Sequence, residues 1–239
     1  MNFERPIKDA VVLITGANRG LGRALAQEAL RRGARKVYAA ARDVRSVTLE
    51  GVVPVQLDVT HAADVQLAAE RCRDVTLLVN NAGIARVGGF LAAEAELHAR
   101  DLLETNYFGP LRMAQAFAPV LAANGGGALL NVLSVASWMP STLLAAYAAS
   151  KSAAWSLTNT LRQELAGQGT LVTGLHVGFI DTDLTHGFDV PKVTPQAVAQ
   201  LALAGVEAGA AEVLADDITR QLKAGLSAPQ APYLLAAAR

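Results

Sequence analysis

Short apolar runs of strand length recur along the chain, each bounded by turn residues and followed by a stretch with helical spacing. They lie at residues 10–15, 37–40, 52–57, 77–80, 128–133 and 171–177, with a last short run at 212–215. Helical spacing occupies 20–32, 62–73, 94–121, 147–165 and 195–209, and returns at 218–226 before an Ala- and Pro-rich end expected to fray. Strand and helix alternating in this way predict a parallel sheet. Because the runs are apolar at nearly every position, both sheet faces must be covered, which predicts a doubly wound α/β fold of seven parallel strands. The link 41–51 is too short for a long crossover helix, so a turn or an abbreviated helix is expected there.

Composition narrows the picture further. The chain has 239 residues and no linker, repeat or low-complexity tract, so 1–239 reads as a single domain. Lys plus Arg and Asp plus Glu each number 21, so there is no basic surplus for a nucleic acid or an anionic membrane. A single cysteine, Cys72, excludes an internal disulfide and a multi-thiolate metal site, and reads as a small buried helix residue. The N-terminus is charged and leads straight into a strand, which points to a cytoplasmic protein.

The segment Thr15-Gly16-Ala17-Asn18-Arg19-Gly20-Leu21-Gly22 follows the first strand and opens the first helix, where a diphosphate can rest on free backbone N–H groups. Gly16 permits a tight turn, Gly20 a close approach to the pyrophosphate, and Gly22 close helix packing. No Gly-Lys-Ser/Thr follows, which argues against a nucleoside-triphosphate loop. At the end of the second strand, Ala41 stands where an acid would bind the ribose 2′-OH of NAD, while Arg42 and Arg19 suit a 2′-phosphate. NADP is therefore preferred over NAD. Asp43, one residue further on, keeps NAD open.

Tyr147 and Lys151, spaced i to i+4 at the start of a helix, share one helix face. For a phenol to exchange protons near neutrality its pKa must fall by about three units, roughly 4 kcal/mol, which Lys151 and an oxidised nicotinamide can supply as positive charge. Ser134, just past the fifth strand, can hold a substrate carbonyl oxygen, with Ser137 as the competing candidate. Asn106 lies within the helical stretch 94–121, four residues before Pro110. A kink is expected there, freeing the Asn106 carbonyl for a water that relays protons toward Lys151.

Together these residues resemble the single-domain short-chain dehydrogenase/reductase family, whose fold is the Rossmann form of the doubly wound sheet. Thr15 to Gly22 is similar to its cofactor loop, Asn80-Asn81-Ala82-Gly83 to its N-N-A-G motif, and Asn106, Ser134, Tyr147 and Lys151 to its catalytic tetrad. The resemblance implies an oxidoreductase acting on a small carbonyl or alcohol. It places Asp58 and Val59 at the adenine, Asn81, Ala82 and Gly83 on the adenosine ribose side, and Tyr147 and Lys151 at the nicotinamide ribose. Ile180 and Thr182 would hold the carboxamide, and Ser134 is supported over Ser137.

Two departures stand out. The family's Pro-Gly after the sixth strand reads Val177-Gly178, leaving that turn less rigidly set, although Gly178 keeps its spacing to Thr182. The C-terminus runs through Leu214-Ala215-Asp216-Asp217 into a helix instead of Asp-Gly-Gly, so a dimer built on the Asn106 and Tyr147 helices is expected in preference to a tetramer. Pocket walls are expected from Ile84, Arg86, residues 135–144, Phe179 and Leu184, which favours a hydrophobic substrate. The rival from another class is a dinucleotide-binding sensor or scaffold, expected to lack Tyr147 or Lys151. A sugar-nucleotide epimerase would carry a larger substrate domain.

Overall fold

The computed structural model describes residues 5–234, so the last part of the end expected to fray, 235–239, lies outside the described residues. The sheet contains β1 (Val11–Thr15), β2 (Lys36–Ala41), β3 (Val53–Gln56), β4 (Leu77–Asn80), β5 (Ala128–Val132), β6 (Leu171–His176) and β7 (Glu212–Leu214). All neighbours pair in parallel, in the order β3-β2-β1-β4-β5-β6-β7. Around it lie α1 (Gly20–Arg31), α2 (Ala62–Arg71), α3 (Ala95–Leu103), α4 (Gly109–Ala123), α5 (Ala145–Glu164), α6 (Pro195–Glu207) and α7 (Asp217–Gly225). This is the doubly wound, Rossmann arrangement expected from the pattern of apolar runs.

The two-sided burial has a direct structural cause. Successive side chains of a strand point to opposite faces, so Val12 and Ile14 of β1 join one core with α1 and α6, while Val11 and Leu13 join a second with α2, α4 and the end of α5. All five β1 residues are buried, which an alternating polar face would not permit. The 41–51 link is short as expected, holding only a 3₁₀ turn at Val44–Ser46. β2 reaches Ala41, one residue beyond the expected end, so Arg42 is the first residue off the strand.

The long helix expected at 94–121 is not continuous. α3 passes into a π-helical turn, Glu104–Phe108, and then into α4. Within that turn the N–H of Gly109 donates to the carbonyl of Glu104, five residues back. The extra residue in the turn, rather than a proline kink, interrupts the helix, and Pro110 falls in the first turn of α4 where no donor is required. Packing fixes the spot: a Cβ on Gly109 would stand 2.8 Å from Val59 Cγ2, so helix and strand-end loop approach as only glycine allows.

No helix among the described residues is long and apolar enough to cross a membrane. The strand order reverses between β1 and β4, which opens a crevice at the carboxyl ends of the strands.

Candidate active site

That crevice is a cavity of about 800 Å³. Its lining includes every residue expected at a cofactor: Gly16, Asn18, Arg19, Gly20, Leu21, Gly22, Arg42, Asp58, Val59, Asn81, Ala82, Gly83, Tyr147, Lys151, Gly178, Ile180 and Thr182. Ser134 lines it as well.

At the loop end, Arg19 is the N-cap of α1 and makes no side-chain cap, so the first-turn N–H groups of the helix are left for an anion. The glycines are required by space. A Cβ on Gly22 would stand 2.2 Å from the Gly16 carbonyl oxygen, and one on Gly16, at φ +65°, 3.1 Å from Ala82 Cα. Thr15 Oγ1 accepts from the N–H groups of Asn81 and Ala82, both at 3.0 Å, and Asn81 Nδ2 donates to the Thr15 carbonyl at 2.8 Å and the Gly16 carbonyl at 3.2 Å. The side chain of Asn81 thus ties β4 to the phosphate loop. Residues of this form fit a dinucleotide: a tight glycine cradle, uncapped N–H groups and two arginines at one end.

Asp43 lines the cleft, but with its carboxylate already engaged. It caps the 3₁₀ turn by accepting from the Arg45 N–H and pairs with the Arg45 guanidinium, with contacts of 3.0 Å each. Arg19 forms an exposed ion pair with Asp183 across the cleft mouth, Nη1 to Oδ2 2.8 Å, the weak kind of pair that a bound anion displaces readily.

At the other end, the Lys151 ammonium donates to the Val132 carbonyl at 2.9 Å and lies 5.9 Å from the centre of the Tyr147 ring. Burial pushes the Lys151 ammonium down from the ordinary lysine range to about 8. Burial likewise raises the Tyr147 phenol above its ordinary value, with the Ser134 hydroxyl opposing it, although part of the ring is accessible along the cleft. In the protein alone, desolvation therefore favours the uncharged form of both groups.

Ser134 adopts extended backbone (φ −157°, ψ 159°) at the start of a 3₁₀ turn, its Oγ accepting from the Ala136 N–H at 3.1 Å. Ser137 is buried within that turn and is not part of the cavity lining, which separates the two serine candidates. Asn106 is 1% exposed and lies behind the cleft wall. Its Oδ1 accepts from the Ile84 N–H at 2.9 Å, and its Nδ2 donates to the Ile84 carbonyl and to Ser150 Oγ, both at 3.0 Å. Of the expected pocket walls, Ile84, Arg86 and Leu184 line the cavity. Phe179 instead packs against Phe188, and residues 135–144 lie outside the lining.

Several contributors carry no local motif. The Asp216 carboxylate accepts from the Gly178 N–H at 2.6 Å and caps α7 through the Thr219 N–H at 2.8 Å. The turn that lacks the usual proline is therefore held from the C-terminal helix. A buried chain runs from Asn80 Nδ2 to Asn131 Oδ1 and from Asn131 Nδ2 to Thr158 Oγ1, both 2.9 Å, locking β4, β5 and α5 together beneath the site. Asparagines inside strands of otherwise apolar character were the available signal for this chain.

Burial of Lys151 sets a pH dependence with a definite sign. Its pKa is about 8 folded against 10.5 for an exposed lysine, so the unfolded chain binds more protons between these values and stability rises with pH across that window. Lys151→Met is expected to raise the Tm of the cofactor-free protein below pH 8, with the advantage shrinking toward pH 10.5. Thermal melts across the window check this, and a pH-independent difference contradicts it.

Comparison with known proteins agrees with the geometry. The short chain dehydrogenase family model matches residues 10–191. A short-chain dehydrogenase, ptmH, of Penicillium ochrochloron is 37% identical over 181 residues, 72% of this chain and 66% of that one. The 11-beta-hydroxysteroid dehydrogenase A of Sesamum indicum is 34% identical over 198 residues, 77% of this chain and 56% of that one. This chain therefore spans less than two thirds of either relative. A crystal structure of a short chain dehydrogenase from Burkholderia cenocepacia in complex with NADP superposes with a TM-score of 0.91 at 39% identity, covering 96% of this chain and 99% of that one. With its glycine cradle, its Tyr147 and Lys151 on one wall and this match over most of its length, the chain belongs to the short-chain dehydrogenase/reductase family of oxidoreductases.

Proposed function

We propose that this protein transfers a hydride between NADP(H) and a small hydrophobic ketone or aldehyde, or the corresponding secondary alcohol. The observation that carries the reading is one cleft: Ser134, Tyr147 and Lys151 stand along the same cavity that the phosphate loop opens. When bound, the nicotinamide supplies or accepts the hydride. Ser134 Oγ and the Tyr147 hydroxyl hold the substrate oxygen, and Tyr147 donates a proton to it as negative charge develops there. Lys151 then stabilises the phenolate that remains. With the Asn106 amide committed to Ile84 and Ser150, its backbone carbonyl is the group left to hold a water that passes a proton through Lys151 back to Tyr147.

Preference for NADP rests on Arg42 leaving β2 directly behind Ala41, on Arg19 in the loop, and on the Asp43 carboxylate being paired with Arg45. An uncommitted acid at that position would favour the ribose 2′-OH of NAD instead. The Burkholderia relative is described in complex with NADP, in keeping with this assignment. The apolar substrate class is supported by Ile84 and Leu184 in the lining and by exposed Val87, Phe90 and Leu91 on the segment that follows Arg86. The Sesamum relative carries the name of a steroid dehydrogenase, a hydrophobic secondary alcohol class.

Tyr147→Phe is expected to lower turnover of NADPH with a panel of aryl and aliphatic ketones by about 10³-fold while leaving NADPH affinity nearly unaltered. Retained activity contradicts the mechanism, and NADPH binding by the wild-type chain without turnover of any carbonyl favours the sensor instead. Arg42→Ala is expected to lower kcat/KM for NADPH by about tenfold with little change for NADH, the loss of one charge-assisted contact. Equal losses with both cofactors contradict the assignment of Arg42 to the 2′-phosphate.

A further inference from the structure

Behind Ser134 lies a fully buried titratable group that the mechanism above does not use. His176 ends β6 and is 0% exposed. Its Nδ1 lies 3.3 Å from the backbone carbonyl oxygen of Ser134. A carbonyl only accepts, so Nδ1 carries the hydrogen of that contact. One ring face stacks on Trp138, centroids 4.0 Å apart at 22°. On the far edge, Nε2 stands 3.6 Å from Glu212 Oε1, beyond hydrogen-bond reach.

Glu212 is itself fixed from the C-terminal helix. Lys223 Nζ lies 2.8 Å from Glu212 Oε2 and 4.8 Å from the Trp138 ring centre. The result is a stack of Lys223 and Glu212, Trp138 and His176 that ends on one atom of the active-site strand terminus, the Ser134 carbonyl.

That atom matters because Ser134 lies beyond the last paired residue of β5, Val132. The neighbouring N–H groups of Leu133 and Val135 still reach β6 at Leu175 and Val177, 2.8 and 3.0 Å, but the Ser134 carbonyl points at a side chain instead. The same peptide group is held by the Val135 N–H at Val177 and by the Ser137 N–H of its own turn, both 3.0 Å, and Ser134 Oγ accepts from the Ala136 N–H; the imidazole adds a side-chain contact to this carbonyl from β6.

We propose that His176 is a positioning residue for the reaction: its Nδ1–H adds a further hold on the Ser134 carbonyl, and Trp138, which stacks on the ring and is itself covered by Lys223, keeps the ring in place, so that the C-terminal β7–α7 segment steadies the strand end that carries the serine hydroxyl. The inference rests on the hydride-transfer reading for its effect on rate, and its geometric part is independent of that reading. It also gives a task to α7, whose N-cap Asp216 holds the Gly178 turn after β6.

Two substitutions separate hydrogen bonding from packing. His176→Phe keeps a ring on Trp138 and loses the donor, whereas His176→Asn keeps a donor at the position of Nδ1 and loses the ring. With NADPH and the best carbonyl of the panel, His176→Phe is expected to lower kcat by about tenfold, the scale of a small misplacement of a reacting group, with NADPH affinity unaltered. His176→Asn is expected to stay near the wild-type kcat. A Phe variant with wild-type kcat, or an Asn variant as slow as the Phe one, overturns the proposal. The wild-type protein provides a check that requires neither variant to fold: long-range proton–nitrogen spectra of the labelled chain are expected to show a hydrogen on His176 Nδ1. A ring bearing hydrogen on Nε2 alone overturns the proposal whatever the kinetics. A wild-type chain that turns over no carbonyl contradicts the hydride-transfer reading separately, and the ring spectrum still decides the His176 contact.

Discussion

Desolvation of one lysine and one tyrosine is the constraint on which the rest of the site depends. Lys151 is 6% exposed and hydrogen-bonded to a strand carbonyl, and burial draws its ammonium down to about 8 while raising the neighbouring phenol. The acid/base role requires the opposite balance, a charged lysine beside a phenol of lowered pKa. The missing positive charge is what an oxidised nicotinamide brings. In the proposed mechanism the pair is therefore poised only when the cofactor is present.

The surrounding structure holds that pair in position along the cleft wall. β5 supplies both the carbonyl that anchors Lys151 and the strand end that carries Ser134. α5 starts at Ala145, two residues before Tyr147, so tyrosine and lysine both sit within a formed helix. The π-turn at Glu104–Phe108 turns the Asn106 amide onto both polar groups of Ile84, and Gly83 has no side chain to intervene: a Cβ there would stand 3.3 Å from Asn106 Oδ1 and 3.7 Å from Lys151 Nζ. Such a turn costs helix regularity and is found frequently where function fixes a side chain. From the far edge of the sheet, Asp216 holds the Gly178 turn.

What could be read from the sequence was local, and what could not was contact between distant segments. The glycine loop, the Tyr147–Lys151 spacing and the seven apolar runs each lie within a short window, and period and turn chemistry suffice to place them. The π-turn looked like a proline kink because its cause is not Pro110 but packing of Gly109 against Val59, 50 residues away in the chain. Asp43 left the cofactor choice open because its pairing with Arg45, only two residues on, is a matter of side-chain direction and not of spacing. The Val177-Gly178 turn looked loose because its support, Asp216, comes from 38 residues downstream. Phe179 belonged to a pair with Phe188 rather than to the cavity wall, a matter of side-chain direction that spacing does not settle.

In the proposed mechanism burial raises the Tyr147 phenol and bound positive charge lowers it. The most direct test is an ultraviolet titration of phenolate absorbance in the wild-type chain minus that of a Tyr147→Phe variant, without and with saturating NADP⁺. The difference signal is expected to titrate above the ordinary tyrosine range in the free protein and to move toward neutrality when NADP⁺ is bound. A Tyr147 titration that is the same in both states contradicts the account.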